Sequence, residues 1–154
     1  MTRATRRARV DVVLLDGAWA KALPGVERLV RRAVRAALGK KVCSLTVALS
    51  DDKGVRALNK RDRGKAKPTN VLSYPSGEKV FLGDVVLARQ TVWREARSQQ
   101  KTPADHVAHL VVHGTLHLLG HDHETGDADA ERMEALERRI LKKLGIADPY
   151  LLSS

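Results

Sequence analysis

Apolar positions along this chain follow two rhythms, and the elements change where the rhythm changes. Arg9–Leu15 (RVDVVLL) has the β-branched, strand-like character of a first strand. Pro24–Leu38 shifts to the helical period, with Leu29, Val30, Ala33, Val34 and Ala37 on one side. Arg28, Arg31, Arg32 and Arg35 recur on the other side and give that helix a basic face; Gly39 ends it. Val42–Leu49 is a second strand. Ser50 is placed to cap a short helix through about Asn59, and Arg61–Pro68 reads as a polar, basic loop. Val71–Tyr74 and Phe81–Ala88 are strands joined through a turn at Pro75–Gly77, which predicts a hairpin. Thr91–Gln99 is helical in pattern. Thr102-Pro103-Ala104-Asp105 starts a further helix, with threonine as cap, proline at the first helical position and an acid near the positive dipole end. That helix carries His106 to His117. A last one runs from Asp127 to Leu144, acids first and Lys142 and Lys143 at its close. No linker or repeat interrupts the series. The expectation is one α+β domain over residues 1–154, a small mixed sheet of about four strands packed with about five helices, residues 1–8 forming a basic tail.

Composition narrows the class. A chain of 154 residues, 43% hydrophobic and 30% charged, has the length and balance of one globular domain. Aromatics are only 3%, so the core must be built of Leu, Val and Ala. No run approaches the ~18 apolar residues of a membrane span. The start, MTRATRRARV, lacks the apolar stretch of a secretory signal; it shares the Arg-rich look of a transit peptide but precedes the first strand too closely. The single cysteine, Cys43, lies in an apolar run and reads as a small core residue. These features fit a reducing cytoplasm.

Charge is divided unevenly. Residues 1–67 hold 18 Lys and Arg against 6 Asp and Glu, and residues 68–154 hold 10 against 12. The first part therefore has the electrostatics of a polyanion-binding surface, with nucleic acid favoured over an acidic membrane or mere solubility.

The chemistry concentrates in HGTLHLLGHDH, residues 113–123. Residues four apart on a helix lie about 40° apart around the axis and about 6 Å along it, so His113 and His117 can point at one ion. A residue ten positions on would sit about 280° round and about 15 Å away if the helix continued. Gly120 supplies the break that lets the chain return and deliver His123. Three imidazoles leave a tetrahedral ion one open position, which marks a catalytic zinc rather than a structural one. His121 competes for the third place, but it falls one residue past the glycine, where the chain has barely turned. His109, one turn before His113, is expected in a supporting or core role, and Asp122 either fixes a ligand's tautomer or caps the turn. The spacing matches the zinc proteases of the HExxHxxGxxH pattern, except that position 114 is glycine where their general base stands. That argues against peptide hydrolysis by their route. A metal site still permits other hydrolyses, since zinc brings the pKa of bound water to about 7.

HGTLHLLGHDH is also similar to the signature of the YbeY endoribonucleases, bacterial rRNA maturation factors. Two further blocks agree in order. Leu58-Asn59, Arg63 and Pro68-Thr69-Asn70-Val71-Leu72-Ser73-Tyr74-Pro75 resemble the family's LN…R…PTDVLSFP, and Leu82-Gly83-Asp84 its LGD strand. The chain departs from the family at Ala66, where an acid is usual, and at Asn70, where Asp is usual. The resemblance implies a metal-dependent, single-strand-specific RNA nuclease acting at the 3′ end of small-subunit 16S rRNA and in ribosome quality control. It implies that Arg63 is functionally important. A guanidinium fork suits a scissile phosphate, although Arg63 read without the resemblance is equally one solvated charge in a basic loop. The expected site is thus His113, His117 and His123 on one zinc ion, with Arg63, His113 and His117 as the catalytic set. Arg28, Arg31, Arg32, Arg35, Arg61, Lys65 and Lys67 are expected to draw in single-stranded RNA, and no organic cofactor or membrane enters. Two other classes remain: a ribosome assembly factor with a structural zinc, and a metalloprotease-like hydrolase.

Overall fold

β-Branched and leucine residues alternate through three parallel strands that form the centre of the structure. The computed structural model describes residues 7–64, 69–121 and 126–150. β1 (Arg9–Leu14) pairs in parallel with β2 (Ser44–Ser50), and β2 in parallel with β4 (Phe81–Ala88). β3 (Val71–Pro75) closes the other edge as an antiparallel neighbour of β4, so the order is β1-β2-β4-β3. The predicted hairpin is therefore present, and the sheet is mixed, with four strands. Between Ser44 and Thr46 the register against β4 slips by one residue. Gly83 lies in the extra length of β4 at φ +135°; a Cβ there would stand 2.1 Å from the Tyr74 carbonyl oxygen, so only glycine fits.

Six helices are present among the described residues: α1 (Ala18–Ala22), α2 (Val26–Leu38), α3 (Asp52–Arg63), α4 (Arg89–Ser98), α5 (Pro103–Leu118) and α6 (Asp127–Lys143). Two differ from the sequence expectation. The predicted helix from Pro24 begins at Val26, with the separate short α1 before it carrying the fully buried Trp19. α3 is capped by Asp51, whose carboxylate accepts from the Gly54 N–H at 2.8 Å, rather than by Ser50. It also runs on to Arg63, because Gly64 at φ +67° ends it with an N–H on the Lys60 carbonyl. Arg61 and Arg63 are thus helical, not loop residues. Lys65 and Lys67 lie outside the described residues.

The period-2 alternation of the strands divides the core. Leu45, Val47, Leu49, Val85 and Leu87 share the main cluster with residues of α2, α5 and α6, while Leu72, Val86 and Ala88 pack with Val55 of α3 in a smaller one. α5 is consequently the buried central helix, flanked by α2, α4 and α6. Among its residues Val107, Ala108, Val111 and Val112 are fully buried. Cys43 is buried as expected, and burial pushes its thiol pKa up. Among the described residues no helix is long and apolar enough to cross a membrane.

Candidate metal and phosphodiester site

Thr102 starts α5 as the sequence predicts: its hydroxyl accepts from the Asp105 N–H at 3.1 Å, with Pro103 in the first turn. The helix then delivers His113 and His117 to one side. Their Nε2 atoms converge to 3.1 Å, with ring centroids 4.7 Å apart. The helix ends where the glycine requires it to. Gly120 sits at φ +98°, its N–H donates to the His117 carbonyl, and the His121 N–H reaches back to Leu116. These two bonds form the reversal of a Schellman motif, which satisfies the last carbonyls and turns the chain. His123 and Asp122 lie outside the described residues. Among the described residues no third His, Cys, Asp or Glu joins the pair closely enough to form a metal-holding group.

Glu137 of α6 is the residue that sequence reasoning missed. It is fully buried. One carboxylate oxygen accepts from His113 Nδ1; the other accepts from the Tyr150 hydroxyl and lies 3.4 Å from His109 Nε2. Burial alone would raise its pKa, but the hydrogen bonds from His109, His113 and Tyr150 outweigh it and hold the group at about 2. Burial and then the Glu137 carboxylate push the Tyr150 hydroxyl upward, and burial lowers His109. His113 therefore presents Nε2 to its partner while Nδ1–H is fixed on an anion, the tautomer a ligand histidine needs. His109 is packed beside Glu137 rather than in the cleft with His113 and His117. The signal for Glu137 was in the sequence: it falls on the apolar stripe Met133, Leu136, Ile140, Leu141, where an acid has no reason to be unless paired.

Gly114 lies about 100° further round the same turn from His113. A Cβ there would meet Val85 Cγ1 at 2.7 Å, and Ser73 Oγ donates to the Gly114 carbonyl at 3.4 Å. The helix is pressed against β3 and β4 at this point, with no room for a side chain. A glutamate in the protease position would drive into the sheet, so the missing base is excluded by packing as well as by sequence.

Arg63 reaches the same place from the end of α3. Its guanidinium donates to the Ser73 carbonyl at 3.0 Å and lies 5.8 Å from the Tyr74 ring centroid. Arg63, Asn70, Ser73, His113, His117 and His121 line one cavity of 540 Å³. Asn70 is held from behind: its amide donates to Glu95 Oε1 at 2.9 Å, and His106 Nε2 meets the same oxygen at 2.9 Å. Burial raises the Glu95 pKa, and the two hydrogen bonds bring it below its ordinary value.

The basic residues are placed less uniformly. Arg61 is bonded to Asp62 at 2.7 and 3.0 Å. Arg31 pairs with Glu27 at 3.5 Å and donates to the Val10 carbonyl at 3.3 Å. Arg28 and Arg32 are exposed and Arg35 half-buried. None of the α2 arginines lines the histidine cavity.

A family model described as Endoribonuclease YbeY matches residues 19–145. The chain belongs to the YbeY endoribonuclease family. A YbeY endoribonuclease of Azorhizobium caulinodans is 50% identical, covering 93% of this chain and 96% of its own. Another from Parvibaculum lavamentivorans is 49% identical, covering 92% and 84%. The solution structure of TM1509 from Thermotoga maritima superposes with a TM-score of 0.57 at 25% identity, covering 90% of this chain and 91% of that one. The YbeY match spans every element from α1 to α6, and so includes the histidine pair, Arg63, Asn70 and Glu137.

Proposed function

We infer that this protein is a zinc-dependent endoribonuclease that cleaves single-stranded RNA, with rRNA of the small ribosomal subunit as its cytoplasmic substrate. The observation that carries the reading is the 3.1 Å convergence of two imidazole Nε2 atoms on a cavity shared with Arg63, in a chain of an endoribonuclease family. The residues suit zinc. Two nitrogens at about 2.0–2.1 Å from one tetrahedral ion stand a little over 3 Å apart, and Glu137 has already fixed the tautomer of one. His123, three residues after Gly120 in the sequence, is the proposed third ligand. When bound, zinc supplies Lewis acidity beside the scissile phosphate.

The chain's own residues do the rest. Arg63 spends one of a guanidinium's five N–H donors on the Ser73 carbonyl, which orients the plane and leaves the others for nonbridging phosphate oxygens. Charge that develops on those oxygens is stabilised by this fixed cation. Asn70, whose amide donates backwards to Glu95, turns its carbonyl oxygen into an acceptor for a ribose hydroxyl or a base amino group. Basic residues of α2 and the end of α3, with Lys65 and Lys67, attract the strand. Cleavage of a single-stranded RNA by the metal-loaded protein, and its loss on chelation, tests the reading. His113→Ala and Arg63→Ala should each abolish most activity; full activity in either, free of contaminating nuclease, would overturn the assignment.

A further inference from the structure

A second cavity, of 690 Å³, lies at the C-terminal end of α2 and is ringed by five cations: Arg7, Arg32, Arg35, Lys40 and Lys41. None of the five pairs with an acidic side chain among the described residues, in contrast to Arg31, which has Glu27. Arg35 Nε is buried in the wall and meets no acceptor among the described residues. The carbonyl end of α2 does not account for the cluster. A helix terminus carries about half a negative charge, and five cations exceed it about tenfold. Such a group repels itself unless an anion is brought to it.

We propose that this cavity is an RNA exosite that binds backbone phosphates of the strand outside the cleavage cleft; it rests on the RNA reading of the histidine site. Its position favours RNA over a compact anion or an acidic protein, because the exosite and the His117 end of the cleft both lie toward the edge of the sheet formed by the starts of its parallel strands. Ala8 precedes β1 and Lys41 precedes β2, and at that edge the Ser44 N–H donates to the Val80 carbonyl just before β4. α5 runs toward the same edge. Its His106 end is tied through Glu95 to Asn70, Gly114 faces Val85 and Ser73, and His117 shares the cleft with Pro75, the partner of Gly83. The exosite stands at the β1–β2 side and the cleft at the β4–β3 side. Neighbouring strands are about 4.8 Å apart, so across the strand direction the two are offset by roughly 10–15 Å. A single strand of a few nucleotides spans that distance, whereas a single anion cannot occupy both.

Fluorescence anisotropy on the metal-stripped full chain, which keeps the RNA intact, tests this with a dinucleotide, too short to reach both sites, and a single strand of about twenty residues. Wild type should bind the longer strand more tightly, and Lys40→Gln/Lys41→Gln should lose most of that gain. Losing two phosphate contacts should lower the salt slope by about 1.4, at about 0.7 per contact on a single strand. Lys40→Arg/Lys41→Arg should restore both, and the exposed Arg32→Gln should reproduce half the loss. An unchanged length gain and salt slope in the lysine double variant would overturn the exosite even if the enzyme cleaves RNA. A charge-dependent gain in a protein that cleaves no RNA when loaded with zinc would remove the cleft reading and leave the exosite standing.

Discussion

Glu137 occupies a place where the stripe of α6 requires an aliphatic side chain, and its burial is tolerable only because three groups donate to it. Its oxygen on His113 Nδ1 is what aims Nε2 into the cleft, so in the proposed site it acts through His113. Glu137→Gln keeps the shape but removes the anion that makes His113 a strong donor. Zinc affinity by competition titration should fall about 10–100-fold, the usual effect of losing such a partner; an unchanged affinity would show that Glu137 serves packing alone. Gly114 is the complementary case, a residue defined by what it lacks. Alanine in a helix interior gains about 1 kcal/mol over glycine. Here that Cβ must displace the stiff, buried Val85, at about 1–3 kcal/mol. Gly114→Ala should therefore lower stability by up to about 2 kcal/mol in urea titration, and an increase would show that the helix can lift off the sheet freely. Of these two residues the motif spacing made Gly114 visible, since a protease base was missing there. Glu137 was hidden because it belongs to a different helix and joins the histidines only through packing.

At the scale of elements, α3 matters because its last residue is Arg63. Its start is tied to α4 through Asp52: the carboxylate accepts from the Thr91 N–H at 2.9 Å and from Arg94 at 2.9 Å. Burial alone would raise the Asp52 pKa, but these donors bring it below 3.8. A carboxyl depressed in the folded state contributes stability that is full above its unfolded value, about 3.9, and is lost as pH falls through the folded one. Urea midpoints of wild type should thus decline more steeply below about pH 4 than those of Asp52→Asn; parallel curves would mean the ties are too weak to matter. The extension of α3 from Asn59 to Arg63 was not legible in the sequence. After Val55 and the buried Asn59 its residues are polar and carry no hydrophobic period, so only the glycine stop at Gly64 marks its end. α5 was legible to within a residue at both ends, because Thr102-Pro103 and Gly120 are local devices that act without tertiary help. The sheet order was not legible: pairing β2 with both β1 and β4 joins segments far apart in sequence, and periodicity is silent on which edges meet.

At the scale of the whole molecule, the proposed zinc would add a further tie between parts of the chain that the fold already joins by packing and by Glu137. His113 and His117 belong to the central helix, and His123 follows the Gly120 reversal on the way to α6, which in turn returns Glu137 to His113. α5 carries two of the proposed ligands, and α6 braces the first of them from behind through Glu137. An ion that binds this arrangement and not the unfolded chain adds RT ln(1 + [L]/Kd), about 2.7 kcal/mol when free zinc is 100 times Kd. For a domain of about this size each kcal/mol moves Tm by roughly 2–4 °C, so saturating zinc should raise the midpoint by about 5–10 °C. The shift should vanish in His113→Ala and in His117→Ala and survive in Arg63→Ala, whose side chain lines the same cleft but is a hydrogen-bond donor to the Ser73 carbonyl and cannot ligate a metal. Differential scanning calorimetry with zinc and with chelator separates these outcomes. A zinc-dependent shift that persists without His113 would place the ion elsewhere in the molecule. A shift lost in Arg63→Ala as well would mean that the cleft, and not the histidine pair, is what the ion stabilises.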